Sequence, residues 1–173
     1  MEYIKQERRE QTKEFLDKES SPLSDKDRAT FVGLDYFPAN ESYKVKAQVS
    51  QLPREVSFSM KTTTVRLPEY KKAAKLSFEL NGQSKELLAY VSLDHPQEGW
   101  FVPFTDATNG EETYEVGRYI DIPLEETSKA EIDLDFNLCY NPYCAYDDRW
   151  SCPIPPTEND LDVRIEAGVK KFH

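Results

Sequence analysis

From Tyr43 onward, apolar and polar residues alternate with a period of two, the pattern of strands with one face buried. Tyr43, Val45, Ala47 and Val49 alternate with Lys44, Lys46 and Gln48. Val56, Phe58 and Met60 alternate with serines. Leu76, Phe78 and Leu80 run into Asn81-Gly82, and Leu87, Ala89 and Val91 return. Asn-Gly tolerates the positive φ of a type I′ turn, so this stretch predicts a β-hairpin. Trp100 to Phe104, Arg118 to Ile122, Ile132 to Phe136 and Leu161 to Ala167 predict further strands. About eight or nine short strands at fairly even spacing predict a mainly β fold, an antiparallel sandwich or barrel.

The start of the chain reads differently. Glu2 to Lys18 contains no Gly or Pro and is rich in Glu, Lys, Arg and Gln, a helix-forming composition. Its apolar residues sit at the ends, Tyr3 and Ile4, then Phe15 and Leu16. Ile4 and Phe15 share a face, so the helix is expected to dock at its ends around a polar middle. Ser20-Ser21-Pro22 ends it. Ser24 with Asp27 three residues on predicts the N-cap of a short second helix, stopped by Gly33. One domain is expected: a helical segment over 1–32, a β core over 43–136 and a final strand over 160–170. Residues 137–159 fit neither period. They carry four prolines, three cysteines and four aromatics. Structureless segments this long are usually functional or disordered, and the aromatics argue against disorder.

Composition narrows the function. The 173 residues include two Trp, ten Tyr and nine Phe, enough apolar surface to build a core. No apolar run approaches the ~20 residues that would span a bilayer. Met1 to Arg9 is charged and lacks a signal-peptide core, but a chain stripped of its leader would look the same, so the compartment stays open. Net charge is −10, and residues 98–166 hold 17 acidic against 4 basic side chains. Such an acidic half repels phosphate backbones, so nucleic acid is not expected as a partner. There is no Rossmann or P-loop glycine pattern, and no cofactor is expected. With two histidines, His95 and His173, a serine triad would have to rest on His95 in a loop before Pro96. Oligomeric state is left open.

Three blocks carry a resemblance. The first is Asp106-Ala-Thr108-Asn-Gly110-Glu-Glu-Thr113-Tyr114-Glu-Val-Gly117-Arg118-Tyr119-Ile-Asp121. The second is Asp135-Phe-Asn137-Leu-Cys-Tyr140-Asn141-Pro142-Tyr-Cys144-Ala-Tyr146. The third is Cys152-Pro153-Ile-Pro155-Pro156-Thr-Glu158-Asn159 with Ala167-Gly168 beyond it. Together with Ser21-Pro22-Leu23 and Phe31-Val-Gly33-Leu34, the chain resembles the bacterial and archaeal family of domain of unknown function 1684. The resemblance implies no activity, substrate or cofactor. Two positions depart from the family pattern: Cys139 replaces a small residue, and Val169 replaces a common Glu after Ala-Gly. The first departure counts against Cys139 in any family-wide site.

The candidate chemistry follows from residue type. Arg118 is the only cation between Lys85 and Lys129. It suits either a structural ion pair, with Asp121 or Asp135, or a bidentate hold on an anionic ligand. Phe136, Tyr140, Tyr143, Tyr146 and Trp150 either anchor the irregular segment or wall a pocket for a partly apolar, partly hydroxylated ligand. Cys144 and Cys152 would form a disulfide in an exported protein and stay thiols in the cytosol. A zinc site of Cys139, Cys144, Cys152 and His95 lacks the usual tight C-x2-C pair, and no metal is expected. The favoured reading is a small-molecule binding domain for a polar or anionic ligand, with Tyr114, Arg118, Tyr119, Tyr140 and Tyr146 lining the pocket. The alternatives are an enzyme using Asp106, Asp135 or Glu158 as base and Tyr114 as acid, or a structural, partner-binding protein.

Overall fold

The computed structural model describes residues 1–53 and 57–173; Val56, expected to open the second alternating run, lies outside them. Among the described residues, seven strands pair antiparallel into one sheet that curls into a half-barrel. They are β1 (Lys44–Gln51), β2 (Phe58–Ser59), β3 (Glu69–Leu80), β4 (Gln83–Ser92), β5 (Trp100–Phe104), β6 (Arg118–Ile122) and β7 (Glu131–Asp135). The order across the sheet is β6-β5-β4-β3-β1-β7, with β2 on the β1 side of β3.

The Asn-Gly hairpin forms where the sequence places it. Asn81 and Gly82 have φ of 51° and 75°, and Leu80 faces Gln83. In β3 the alternation is broken once, where the register shifts between Lys72 and Ala74. The extra residue of this bulge leaves Ala73 and Ala74 both buried. Leu76, Phe78, Leu80, Leu87, Ala89 and Val91 then fill the inner face with Val102, Phe104, Ile120 and Leu134.

The expected final strand is absent. Leu161, Val163, Ile165 and Ala167 alternate as a strand would, yet 161–167 runs as coil, bent at Asp162 and Val163, against the inner face. Leu161, Ile165 and Ala167 join the core. Isolated bridges flank the run, Thr105 with Asp160 before it and Tyr36 with Val169 after it. Its carbonyls are taken by a side chain instead, as described below.

Helix α1 (Glu2–Leu16) docks at its ends, with Ile4 and Phe15 buried and the residues between them polar. Phe15 sits in a second cluster with Leu23 and Tyr146. Helix α2 (Asp25–Thr30) has the expected cap, the Ser24 hydroxyl accepting from the Asp27 N–H. It ends at Thr30 rather than at Gly33. Residues 137–159 are held by ring contacts: Tyr140 on Tyr119, Tyr146 on Phe15 and Phe172, and Tyr143 on Trp150. No helix is long and apolar enough to cross a membrane among the described residues.

Candidate functional site

Strand β6 sends alternate residues to opposite faces, and this sorts its polar side chains. Arg118, Ile120 and Ile122 point inward; Tyr119 and Asp121 belong to the other face. Arg118 has no exposed surface. One terminal nitrogen donates to Asp106 Oδ2 at 2.8 Å and to the Ile165 carbonyl at 2.8 Å. The other donates to the Ala167 carbonyl at 2.6 Å and the Val169 carbonyl at 3.2 Å. The partner is therefore Asp106, not Asp121 or Asp135. Asp121 is on the opposite face, and Asp135 is on β7 at the far end of the sheet order. Asp106 Oδ1 meanwhile accepts from the Thr108 N–H and hydroxyl and from the Ile165 N–H. Thr113 completes the knot through the Thr108 hydroxyl, 2.8 Å away.

The other proposed bases are equally engaged. Asp135 accepts from Tyr3 at 2.5 Å and caps the turn at Asn137. Glu158 accepts from Tyr90 at 2.6 Å and Lys72 at 2.7 Å. Burial pushes the Glu158 carboxyl up, but these two hydrogen bonds outweigh it and hold the group below its ordinary value. Tyr114 donates to Cys144 Sγ at 3.6 Å. No two of Asp106, Tyr114, Asp135 and Glu158 have side chains hydrogen-bonded to each other among the described residues, and of the four Tyr114 alone lines either of the two clefts described below.

The five expected ligand-binding residues separate into three places. Tyr119 and Tyr140 line a cleft of about 790 Å³ between α1, the irregular segment and the outer face of β5 and β6. Tyr114 and Tyr146 line a second, of about 510 Å³, on the far side of residues 144–146. Arg118 lines neither and is sealed in the core.

The larger cleft has a row of aromatic rings along its floor. Tyr70 packs on Phe101 at 5.6 Å, Phe101 edge-on to Tyr119 at 4.6 Å, and Tyr119 edge-on to Tyr140 at 5.7 Å. Tyr119 donates to the Pro153 carbonyl, and Tyr140 to Asp121 at 2.6 Å. Burial raises both phenols well above their ordinary range. Asp121 is exposed by area, yet the surrounding walls raise its carboxyl against the opposing pull of the Tyr140 hydroxyl.

The roof is α1. Arg8 lies over the Tyr36 ring at 4.3 Å and donates one bond, to the Phe37 carbonyl at 3.1 Å. Its Nε is buried without a partner, and among the described residues no carboxylate pairs with it. Desolvation lowers its pKa. Asn141, 2 % exposed, also lines this cleft and has a buried Oδ1 without a partner. Nothing local in the sequence points to Arg8, Asn141 or Asp121 as ligand contacts. The signal for Arg8 is the polar middle of a helix anchored only at its ends.

All three cysteines are free thiols. Cys139 packs against Gly168, its Sγ 3.5 Å from the Ala167 carbonyl, and burial pushes it up to about 11. A Cβ on Gly168 would come within 2.3 Å of that sulfur. His95 lies in an exposed turn 3.7 Å from Glu98, so the four members of the zinc alternative are not assembled. Among the described residues, no group of three or more His, Cys, Asp or Glu is placed to hold a metal ion.

Comparison with known proteins fits this architecture. The pattern of the family described as protein of unknown function (DUF1684) matches residues 29–170. The chain belongs to this family. It is also similar to the solution NMR structure of an uncharacterised protein of Haloarcula marismortui, at 36% identity and a TM-score of 0.78. That match covers 97% of this chain and 92% of the other. Among curated proteins, none matches significantly.

Proposed function

We propose that this domain binds a small molecule with a ring-bearing or hydroxylated body and one anionic group, in the cleft beneath α1. The observation that carries the reading is Arg8. A guanidinium that is partly desolvated, leaves a buried N–H unused and has no carboxylate partner among the described residues is held ready for an anion. The Tyr70, Phe101, Tyr119 and Tyr140 rings supply apolar walls.

The carboxylates Glu7, Glu10, Glu14 and Asp121 also line the cleft and oppose a strongly charged anion. They favour a singly charged ligand such as a hydroxylated carboxylic acid. Isothermal titration with uronic acids, aromatic hydroxy acids and their neutral counterparts tests this. Saturable binding is expected for a carboxylate and not for its neutral analogue, with loss in Arg8→Met and retention in the surface control Arg164→Met. Dissociation constants all weaker than about 1 mM, or binding indifferent to Arg8→Met, would overturn it.

A further inference from the structure

Residues 141–152 form the partition between the two clefts, and two cysteines sit within it. Cys144 is half-buried and lines the smaller cleft; Cys152, 6 % exposed, lines the larger one. The Cys144 N–H donates to Cys152 Sγ at 3.2 Å, and the Tyr114 hydroxyl donates to Cys144 Sγ at 3.6 Å. Cys152 is fixed by pairing with the 61–64 segment: its N–H donates to the Thr63 hydroxyl, and its carbonyl accepts from the Thr63 N–H. Both sulfurs accept a hydrogen bond, but Cys144 is the reachable one and Cys152 is anchored behind it.

We infer that Cys144 and Cys152 are a reversible dithiol–disulfide couple, with Cys144 as the attacking thiolate and Cys152 as the resolving thiol. The oxidant is a low-molecular-weight disulfide entering the smaller cleft. Cys144 Sγ attacks one sulfur of that disulfide; the S–S bond breaks, one thiolate leaves, and Cys144 carries the mixed disulfide. Cys152 Sγ then attacks Cys144 Sγ and expels the second thiolate, which takes the Cys152 proton. Two protein thiols are oxidised and one small disulfide is reduced to two thiols.

The electrostatics agree with this division of labour. Hydrogen bonding from Cys152, and then from Tyr114 and Thr63, pulls the Cys144 thiol down against the effect of burial. The same contact and burial push Cys152 up, so it stays protonated until Cys144 is capped. Thiolate fraction governs attack, which separates Cys144 from the deeply buried Cys139. The inference does not depend on whether the larger cleft holds a ligand.

Oxidised glutathione is the test reagent, with intact-mass and peptide mapping of the full chain. The wild type is expected to lose two hydrogens and keep no glutathione, its new bond mapping to Cys144 and Cys152. C152S is expected to accumulate glutathione on Cys144, and C144S to take none on Cys152. Should either serine variant fail to fold, iodoacetamide labelling of the wild type at neutral pH decides. Cys144 is expected to react roughly tenfold faster than Cys139, and Y114F to slow it. A stable glutathione adduct on the wild type, an unreactive Cys144 in C152S, or Cys139 or Cys152 labelled first would overturn the inference.

Discussion

Arg118 gives up all its water on folding, so its hydrogen bonds must be replaced inside the protein. Asp106 and the carbonyls of Ile165, Ala167 and Val169 do this, leaving only Nε without a partner. Asp106→Ala removes the paired carboxylate and strands the charge. It is expected to cost about 3–5 kcal/mol, seen as a lower urea midpoint at an unchanged slope. The sequence marks Arg118 as a lone cation but points to the wrong acids. The strand period alone rejects Asp121, because positions 118 and 121 differ by an odd number and face opposite ways. Asp106 precedes a turn-rich loop, and only the fold of that loop brings it under β6.

At the scale of elements, Asn159 acts as a piece of missing strand. The β4–β5 pairing has one register pair, Tyr90 with Phe101. Asn159, wholly buried, offers Oδ1 to the Leu88 N–H and donates Nδ2 to the Leu88 and Pro103 carbonyls. Its amide imitates a peptide group where the neighbouring strand does not reach. Asn159→Ala strips one buried and two half-buried backbone groups of their partner and is expected to destabilise by about 2–3 kcal/mol, measured by chemical denaturation. The hairpin, the docking of α1 through Ile4 and Phe15 and the bounds of β5 and β6 are legible from local pattern because local chemistry decides them. The run from Leu161 to Ala167 misleads because alternation reports which face is buried, not which group takes the backbone carbonyls. Here a guanidinium takes three of them, the last just beyond the run at Val169.

For the molecule as a whole, the buried phenols tie stability to alkaline pH. Burial first, with Asp121 beside Tyr140 and Glu158 beside Tyr90, raises Tyr90, Tyr119 and Tyr140 above the ordinary value of about 10. Above that pH the unfolded chain loses protons that the folded chain keeps. The stability these groups contribute is therefore complete below about pH 10 and is lost as pH rises toward the folded values. The urea midpoint is expected to fall through this window, with tyrosinate absorbance appearing together with unfolding. The larger cleft is the least legible feature. Its roof, floor and wall come from α1, β5 with β6, and residues 137–153, and no local pattern records that three distant segments meet. Synthesis order adds a last consequence of the Arg118 knot. The nearest of its three carbonyls is 47 positions downstream, which at about 5–20 residues per second is a delay of several seconds. During that interval the nascent sheet has its arginine but not the coil that satisfies it, and its apolar inner face is bare. The sheet therefore reaches its final stability only once residue 169 has been made and the coil can close over Arg118.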